Sequence, residues 1–178
     1  MESSTPQRAV FLDRDGTLIE EVNYLSRIED LRVFPYTFEA LKLLKEVGFL
    51  LIVVTNQSGI GRGVYDEAAM HAIHGAMQNE LDDIIDAFYF CPHLPCDGCD
   101  CRKPMLGMIR SATAEFAIDM PGSWMIGDKK IDVETARNAG IKSGMVMTGY
   151  GRTHSEELTM QPDVLAENLL DVVREVLR

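Results

Sequence analysis

The stretch VFLDRDGTL, residues Val10 to Leu18, indicates how the fold begins. It opens on a short apolar run typical of a buried strand and turns polar at Asp13. Asp13 and Asp15 stand two positions apart, so in an extended chain both side chains point to the same side. Two carboxylates this close repel each other unless a cation or a shared proton relieves them. The stretch therefore predicts a strand that ends at an acidic, cation-binding loop, although Asp and Gly also form simple turns.

Two later apolar runs end in polar residues in the same way. Phe49 to Val54 is followed by Thr55, and Trp124 to Ile126 is followed by Gly127-Asp128. Helical patterns alternate with these strands, which indicates right-handed βαβ units and a parallel sheet covered on both faces. The fold class we predict is α/β, a doubly wound, three-layer parallel sheet. The carboxyl ends of its strands form the usual ligand-binding edge, so we expect the polar residues to meet there.

The remaining segments give the expected organisation. Residues 18–35 lack a clean periodicity and predict a long loop, called the flap below. We expect a strand over Met145–Met147 and a closing amphipathic helix over Pro162–Leu177. The segment from Asp15 to Thr55 holds one loop, one helix and one strand, and the segment from Thr55 to Lys103 holds one helix, one strand and a cysteine-rich loop. Neither segment has room for a separate lid domain over the site. We therefore predict one capless domain over residues 1–178, with the flap and a cysteine-rich loop as the only walls of its site.

Length and composition restrict the classes of function. The chain has 178 residues, 46% of them hydrophobic, which suits one compact domain. Its formal net charge of −11 argues against nucleic acid as a partner, because a basic face is the usual footprint. No apolar run approaches the roughly 20 residues of a membrane span, and no signal sequence is evident. We expect a soluble protein that binds a small molecule, has no membrane partner and is a monomer.

All four cysteines lie within residues 91–101, called the zinc loop below. Clustered cysteines in an untargeted chain indicate a metal site rather than a disulfide framework, and they place the protein in the reducing cytoplasm. A tetrahedral, structural Zn²⁺ site requires four ligands of this kind. The predicted ligands are Cys91, His93, Cys99 and Cys101. Cys96 is a fifth candidate that could displace His93 or Cys99, and an iron–sulfur cluster or free thiols are the alternatives.

The carboxylates at the predicted edge point to phosphoryl transfer. Asp13, Asp15 and Asp128 offer hard oxygen ligands without a nearby thiolate, which suits Mg²⁺. One Asp carboxylate can attack phosphorus to form an aspartyl-phosphate, while a second donates and accepts the protons. Thr55 and a lysine would stabilise the phosphate oxygens as charge develops.

Three motifs resemble those of the haloacid dehalogenase-like phosphatases. The first is FLDRDGTL at residues 11–18, the second VTNQ at 54–57, and the fourth MIGD at 125–128 with Asp132. The zinc loop joined to CRKP at residues 101–104 is the most specific match. The resemblance covers residues 10–151 and implies a Rossmannoid fold and Mg²⁺-dependent hydrolysis of a sugar phosphate.

The resemblance also assigns roles by position. It implies Asp13 as nucleophile, Asp15 as general acid and base, and Thr55 with Lys103 as the stabilisers of the phosphoryl group. Magnesium would be held by Asp13, the backbone carbonyl of Asp15, and Asp128. The implied pocket and substrate-binding residues are Glu21, Tyr24, Asn56, Gln57, Ser58, Arg102 and Lys129. Arg62, inside a glycine-rich turn over residues 59–63, could meet a second substrate phosphate.

Two other functions remain open from the sequence. One is a histidinol-phosphate phosphatase, whose catalytic domain is similar and also carries a zinc loop. The other is a zinc-stabilised binding module on an inactive phosphatase scaffold. The joint presence of Asp13, Asp15, Thr55, Lys103 and Asp128 argues against the inactive scaffold, which has no chemical need for both of the paired carboxylates.

Overall fold

The computed structural model describes residues 5–178 and contains one six-stranded parallel sheet. Its strand order is β3-β2-β1-β4-β5-β6, so two βαβ halves diverge from β1 and β4. The predicted doubly wound α/β fold is confirmed. The strands are β1 Ala9–Leu12, β2 Leu50–Asn56, β3 Ala87–Cys91, β4 Trp124–Gly127, β5 Lys142–Val146 and β6 Val164–Ala166.

Helices cover both faces of this sheet and make it three layers thick. Asp66 begins one of them by accepting a hydrogen bond from the backbone N–H of Ala69, and Gly140 ends another in the left-handed conformation that favours glycine. The helices are α1 Thr37–Glu46, α2 Ser58–Gly61, α3 Glu67–Glu80, α4 Gly107–Glu115, α5 Lys130–Ala139, α6 Gly151–Glu156 and α7 Leu169–Val176.

The central strand β1 shows why the sheet is buried on both sides. Val10 and Leu12 pack into the core formed with α1, α3 and α7, whereas Ala9 and Phe11 pack into the core formed with α4 and α5. All four side chains are fully buried. A continuous apolar run is therefore required here, as in other parallel sheets that are covered by helices.

The C-terminal part of the chain differs from the prediction. The prediction of a helix over Pro162–Leu177 is confirmed for Leu169–Val176 and wrong for the residues before it, because Val164–Ala166 pairs with β5 as the edge strand β6. Helix α7 begins only after Asn168, whose side chain accepts a hydrogen bond from the backbone N–H of Asp171. The strand expected over Met145–Met147 begins earlier, at Lys142.

The flap follows the prediction more closely. It contains a single 3₁₀ turn at Ile28–Asp30 and an isolated bridge between Ile19 and Val33. The glycine-rich segment expected as a flexible turn instead forms the short helix α2. Within residues 5–178, no helix combines the length and the apolar character that a membrane crossing demands.

Candidate active site

Three buried carboxylates meet at the carboxyl edge of the sheet. Asp13 follows β1, Asp128 follows β4, and Asp132 lies in the first turn of α5. One oxygen from each lies within 4.8 Å of the others. The backbone N–H of Asp13 donates to the carbonyl of Ile126 at 2.9 Å, which ties the ends of these two strands together.

Lys103 lies among these carboxylates. Its Nζ donates to Oδ1 of Asp13 at 2.8 Å and to Oδ1 of Asp132 at 2.6 Å, and all three residues are buried. Burial disfavours the charge on Asp13, but the cations of Lys103 and Lys129 hold its pKa below the ordinary value. The Asn56 side chain fixes the Lys103 backbone from β2, accepting from its N–H at 3.0 Å and donating to its carbonyl at 3.3 Å.

One carboxylate oxygen of Asp128 is available to bind a cation. Its Oδ2 accepts from the backbone N–H of Tyr150 at 2.8 Å, whereas its Oδ1 is buried without a hydrogen-bond partner among the described residues. Burial and the charge of Asp13 raise the pKa of Asp128 to about 8. Gly16 and Gly149, both with positive φ, press against this carboxylate, and a Cβ at either position would overlap Oδ2. A buried, unpartnered carboxylate oxygen requires an explanation, and a metal ion supplies one.

The second Asp of the pair lies nearer the surface. Asp15 is linked to Thr55 through Gln57, whose Nε2 donates to Oδ2 of Asp15 at 2.9 Å and to Oγ1 of Thr55 at 2.8 Å. The Arg14 guanidinium also binds the Asp15 carboxylate. Three predicted site residues at the ends of β1 and β2 are thereby joined in one hydrogen-bond network.

A cavity of about 420 Å³ opens above these residues. Most of the predicted substrate-binding residues contribute to its lining, namely Glu21, Tyr24, Asn56, Gln57, Ser58, Arg102 and Lys129, together with Asp15. Arg62 is exposed and does not line this cavity. Lys129 lies 3.3 Å from Glu21, so the flap contacts the end of β4 directly.

The cavity has more walls than the sequence indicates. Tyr65, Tyr150 and His154 also line it, so the prediction that the flap and the zinc loop are the only walls is wrong. The loop after β5 supplies Tyr150, and α6 supplies His154, whose Nδ1 accepts from the backbone N–H of Lys130 at 3.2 Å. Neither short segment has a periodic pattern that could have revealed it.

The zinc loop brings together the predicted ligand set. The ligand atoms of Cys91, His93, Cys99 and Cys101 lie within 4.8 Å of one another. The Sγ atoms of Cys91 and Cys99 are 3.6 Å apart, and Nδ1 of His93 is 3.5 Å from Sγ of Cys91. Sγ of Cys101 lies closer, at 3.1 Å from Sγ of Cys91 and 3.2 Å from Nδ1 of His93. Zinc–ligand distances of about 2.0–2.3 Å give a tetrahedron with edges of roughly 3.5–3.8 Å. Cys96 is exposed and lies outside this cluster.

The zinc loop also reaches the cavity. Nη1 of Arg102 donates to the carbonyl of His93 at 3.1 Å. Lys103, two positions after Cys101, carries its ammonium into the carboxylate cluster. The zinc loop and the buried acidic site are therefore parts of one structural unit.

Sequence reasoning missed the roles of two charged residues in this site. Asp132 belongs to the fourth motif, but the motif did not predict its ion pair with Lys103. The available signal was its position four residues after Asp128, in the first turn of a helix that begins at the edge of the site. Arg14 gave no signal beyond its position between Asp13 and Asp15, because its other two partners, Gln57 and His74, are distant in sequence.

A doubly wound sheet with an acidic pair after β1, a threonine near the end of β2 and a buried lysine among acidic residues that follow β4 defines a haloacid dehalogenase-like hydrolase. The family model described as HAD-hydrolase-like matches residues 100–172. The chain is 38% identical to the D-glycero-beta-D-manno-heptose-1,7-bisphosphate 7-phosphatase of Haemophilus ducreyi, over 94% of this chain and 97% of that protein. It is 36% identical to the D-glycero-alpha-D-manno-heptose-1,7-bisphosphate 7-phosphatase of Photorhabdus laumondii, over 93% of this chain and 94% of that protein.

A solved structure agrees with these relatives. The D,D-heptose 1,7-bisphosphate phosphatase from B. bronchiseptica, complexed with magnesium and phosphate, superposes with a TM-score of 0.88. The two chains are 31% identical, with 96% of this chain and 98% of the other covered. The chain belongs to the heptose-bisphosphate phosphatase family of HAD-like hydrolases.

Proposed function

We propose that this protein removes the 7-phosphate of D-glycero-D-manno-heptose 1,7-bisphosphate, in the synthesis of nucleotide-activated heptose for surface glycans. The observation that carries the proposal is the cluster of Asp13, Asp128 and Lys103, whose sequence neighbours Asp15, Lys129 and Arg102 line a cavity of about 420 Å³. The names of the relatives support the heptose substrate over histidinol phosphate. We also propose that the protein works in the cytoplasm, since none of its four cysteines forms a disulfide and all four lie in one loop.

The acidic cluster fits a magnesium ion. Oδ1 of Asp128, which has no hydrogen-bond partner among the described residues, is a hard oxygen atom that can coordinate the ion, and Asp13 lies beside it. Both oxygens of Asp132 are engaged, one by Lys103 and the other by the backbone N–H of Lys129, so Asp132 suits a supporting role. We propose Asp13, the backbone carbonyl of Asp15, and Asp128 as the protein ligands. When bound, Mg²⁺ supplies positive charge that offsets these carboxylates and orients the phosphate oxygens.

The residues then divide the chemistry between them. A carboxylate oxygen of Asp13 attacks phosphorus, and the bond from phosphorus to the sugar oxygen breaks as Asp15 gives its proton to that oxygen. Asp15 next accepts a proton from water, whose oxygen attacks the aspartyl-phosphate, releasing phosphate and regenerating Asp13. Thr55 and the Lys103 ammonium stabilise the charge that develops on the phosphoryl oxygens.

We assign substrate recognition to charged and polar side chains on the cavity wall. Arg102 and Lys129 are cationic and line the cavity, so they suit the second phosphate of a bisphosphate. Glu21, Tyr24 and Ser58 provide polar groups for the sugar hydroxyls. The amides of Asn56 and Gln57, predicted as pocket residues, are occupied with Lys103 and with Asp15 and Thr55, and we propose that both act by positioning those groups.

The zinc loop fits a structural Zn²⁺ site. Three thiolates and an imidazole would fill the coordination sphere of a bound Zn²⁺ and would leave no open position for substrate. We propose that the ion fixes the loop that carries Arg102 and Lys103.

Phosphate release from purified protein tests the function. We expect Mg²⁺-dependent loss of the 7-phosphate from heptose 1,7-bisphosphate, with the anomeric phosphate retained in the ³¹P spectrum. Histidinol phosphate at the same concentration is the comparison substrate, and faster turnover of it would reverse the assignment. Absence of hydrolysis of any sugar phosphate in Mg²⁺ would instead favour an inactive binding module.

A further inference from the structure

Arg14 is a buried cation beside the proposed acid and base. Its side chain is 1% exposed, and among residues 5–178 its ion-pair partner is Asp15. Nε of Arg14 lies 3.0 Å from Oδ2 of Asp15, and Nη2 lies 3.0 Å from Oδ1. This two-point contact fixes the plane of the carboxylate, which a single hydrogen bond cannot do.

Two further residues hold the other edge of the guanidinium. Nη1 lies 3.2 Å from Nε2 of His74 in α3, and Nη2 donates to Oε1 of Gln57 at 3.0 Å. Burial, with the charge of Arg14, lowers the pKa of His74 to about 3, so the imidazole is neutral and can accept from Arg14. His74 is itself stacked on Phe88 of β3 at 4.5 Å. Arg14 is thus anchored to the protein core independently of Asp15.

The two oxygens of Asp15 are left in different environments. Oδ2 accepts from Nε of Arg14 and from Nε2 of Gln57, whereas Nη2 of Arg14 is the one donor to Oδ1 among residues 5–178. The Asp15 side chain is 14% exposed and lines the cavity. Oδ1 is therefore the oxygen with room for a proton.

We propose that Arg14 is a positioning residue that holds Asp15 in the orientation in which Oδ1 exchanges a proton with the reacting oxygens. The inference rests on the proposed function. As the bond from phosphorus to the sugar oxygen breaks, the proton on Oδ1 passes to that oxygen; in the second half-reaction Oδ1 takes a proton from the attacking water. Arg14 neither gains nor loses a proton in either step.

The leaving group of the substrate distinguishes positioning from general support of the fold. A sugar alkoxide requires a proton as it leaves, whereas p-nitrophenolate leaves without one. Impaired proton donation should therefore lower kcat/KM for the sugar phosphate far more than for p-nitrophenyl phosphate. A merely structural defect, or a displaced phosphate site, would lower both alike.

The experiment compares Arg14→Lys, Asp15→Asn and the double variant on these two substrates. Arg14→Lys keeps the charge and removes the fork, so we expect kcat/KM for the heptose bisphosphate to fall about 100-fold, and for p-nitrophenyl phosphate less than about 5-fold. Asp15→Asn should change the ratio at least as much. The double variant should show no further change, because Arg14 acts through Asp15. A burst of nitrophenolate should also appear in both single variants, since the aspartyl-phosphate then breaks down slowly.

The outcomes separate the two hypotheses. If Asp15→Asn leaves the substrate ratio unchanged, the acid role of Asp15 in the proposed function fails. If Asp15→Asn changes the ratio and a folded Arg14→Lys does not, the positioning role of Arg14 alone is overturned. Should Arg14→Lys not fold, His74→Phe keeps the aromatic stack and removes one anchor of Arg14. It should change the ratio in the same direction by about 5-fold, and an unchanged ratio overturns the inference.

Discussion

The contact between Asp13 and Lys103 decides what the loss of one negative charge will do. In Asp13→Asn the nucleophilic carboxylate is gone, but Lys103 keeps its ion pair with Asp132. We expect turnover to fall at least ~10³-fold while the circular dichroism spectrum is unchanged. Asp82→Asn, an exposed site after α3, is the matched control. Near-full activity of Asp13→Asn would refute the covalent mechanism.

The buried imidazole of His74 should make the stability of the protein depend on pH. The unfolded chain binds a proton at His74 near pH 6.5, whereas the folded chain, with a pKa of about 3, does not. His74 therefore destabilises the protein as the pH falls below 6.5. Between pH 7 and pH 5, the wild type should lose about 2 kcal/mol of unfolding free energy relative to His74→Phe. Urea titrations at both pH values measure the difference, and parallel losses in the two proteins would contradict it.

The sequence is informative about single residues only where chain position fixes their place. Asp13, Thr55 and Asp128 could be assigned because each follows an apolar run, and parallel strands bring their ends together. Arg14 and His74 could not, because they are 60 positions apart and nothing local distinguishes either from a solvated side chain. Their pairing follows from the packing of α3 beside β3.

At the scale of elements, two cysteines of the zinc loop, Cys96 and Cys99, should differ in their importance for the fold. Cys99→Ser removes a cluster ligand, whereas Cys96→Ser changes an exposed thiol outside it. We expect Cys96→Ser to retain one zinc per chain and an unchanged Tm. Cys99→Ser should lose zinc and melt roughly 5–10 °C lower, since a closed metal site contributes to folding. Zinc content by atomic absorption and calorimetry give the two readouts; an unchanged Tm in zinc-free protein would exclude a structural role.

Element length explains which helices and strands the sequence could predict. The central strands are continuous apolar runs, and α3 and α5 have clear caps, so their existence was evident. The three-residue strand β6 and the short helix α6 span too little chain for a period to show. Only pairing with β5 makes Val164–Ala166 a strand.

At the scale of the whole molecule, we expect one folding unit and a monomer. All six strands belong to one sheet, and the large apolar side chains that remain exposed in residues 5–178 come from the flap, from α1 and from several later segments of the chain. Light scattering after gel filtration should give the mass of a single chain, and calorimetry a single transition. A dimer at micromolar concentration would contradict this expectation.

The glycine pair around Asp128 limits how this fold can vary. A deep mutational scan selected for phosphatase turnover should accept nothing but glycine at positions 16 and 149, since any Cβ there displaces the Asp128 carboxylate. Gly75, whose Cβ would meet no atom within 4 Å, should accept alanine freely in the same library. At these two positions, the volume of a single methyl group is therefore enough to exclude every residue except glycine during evolution.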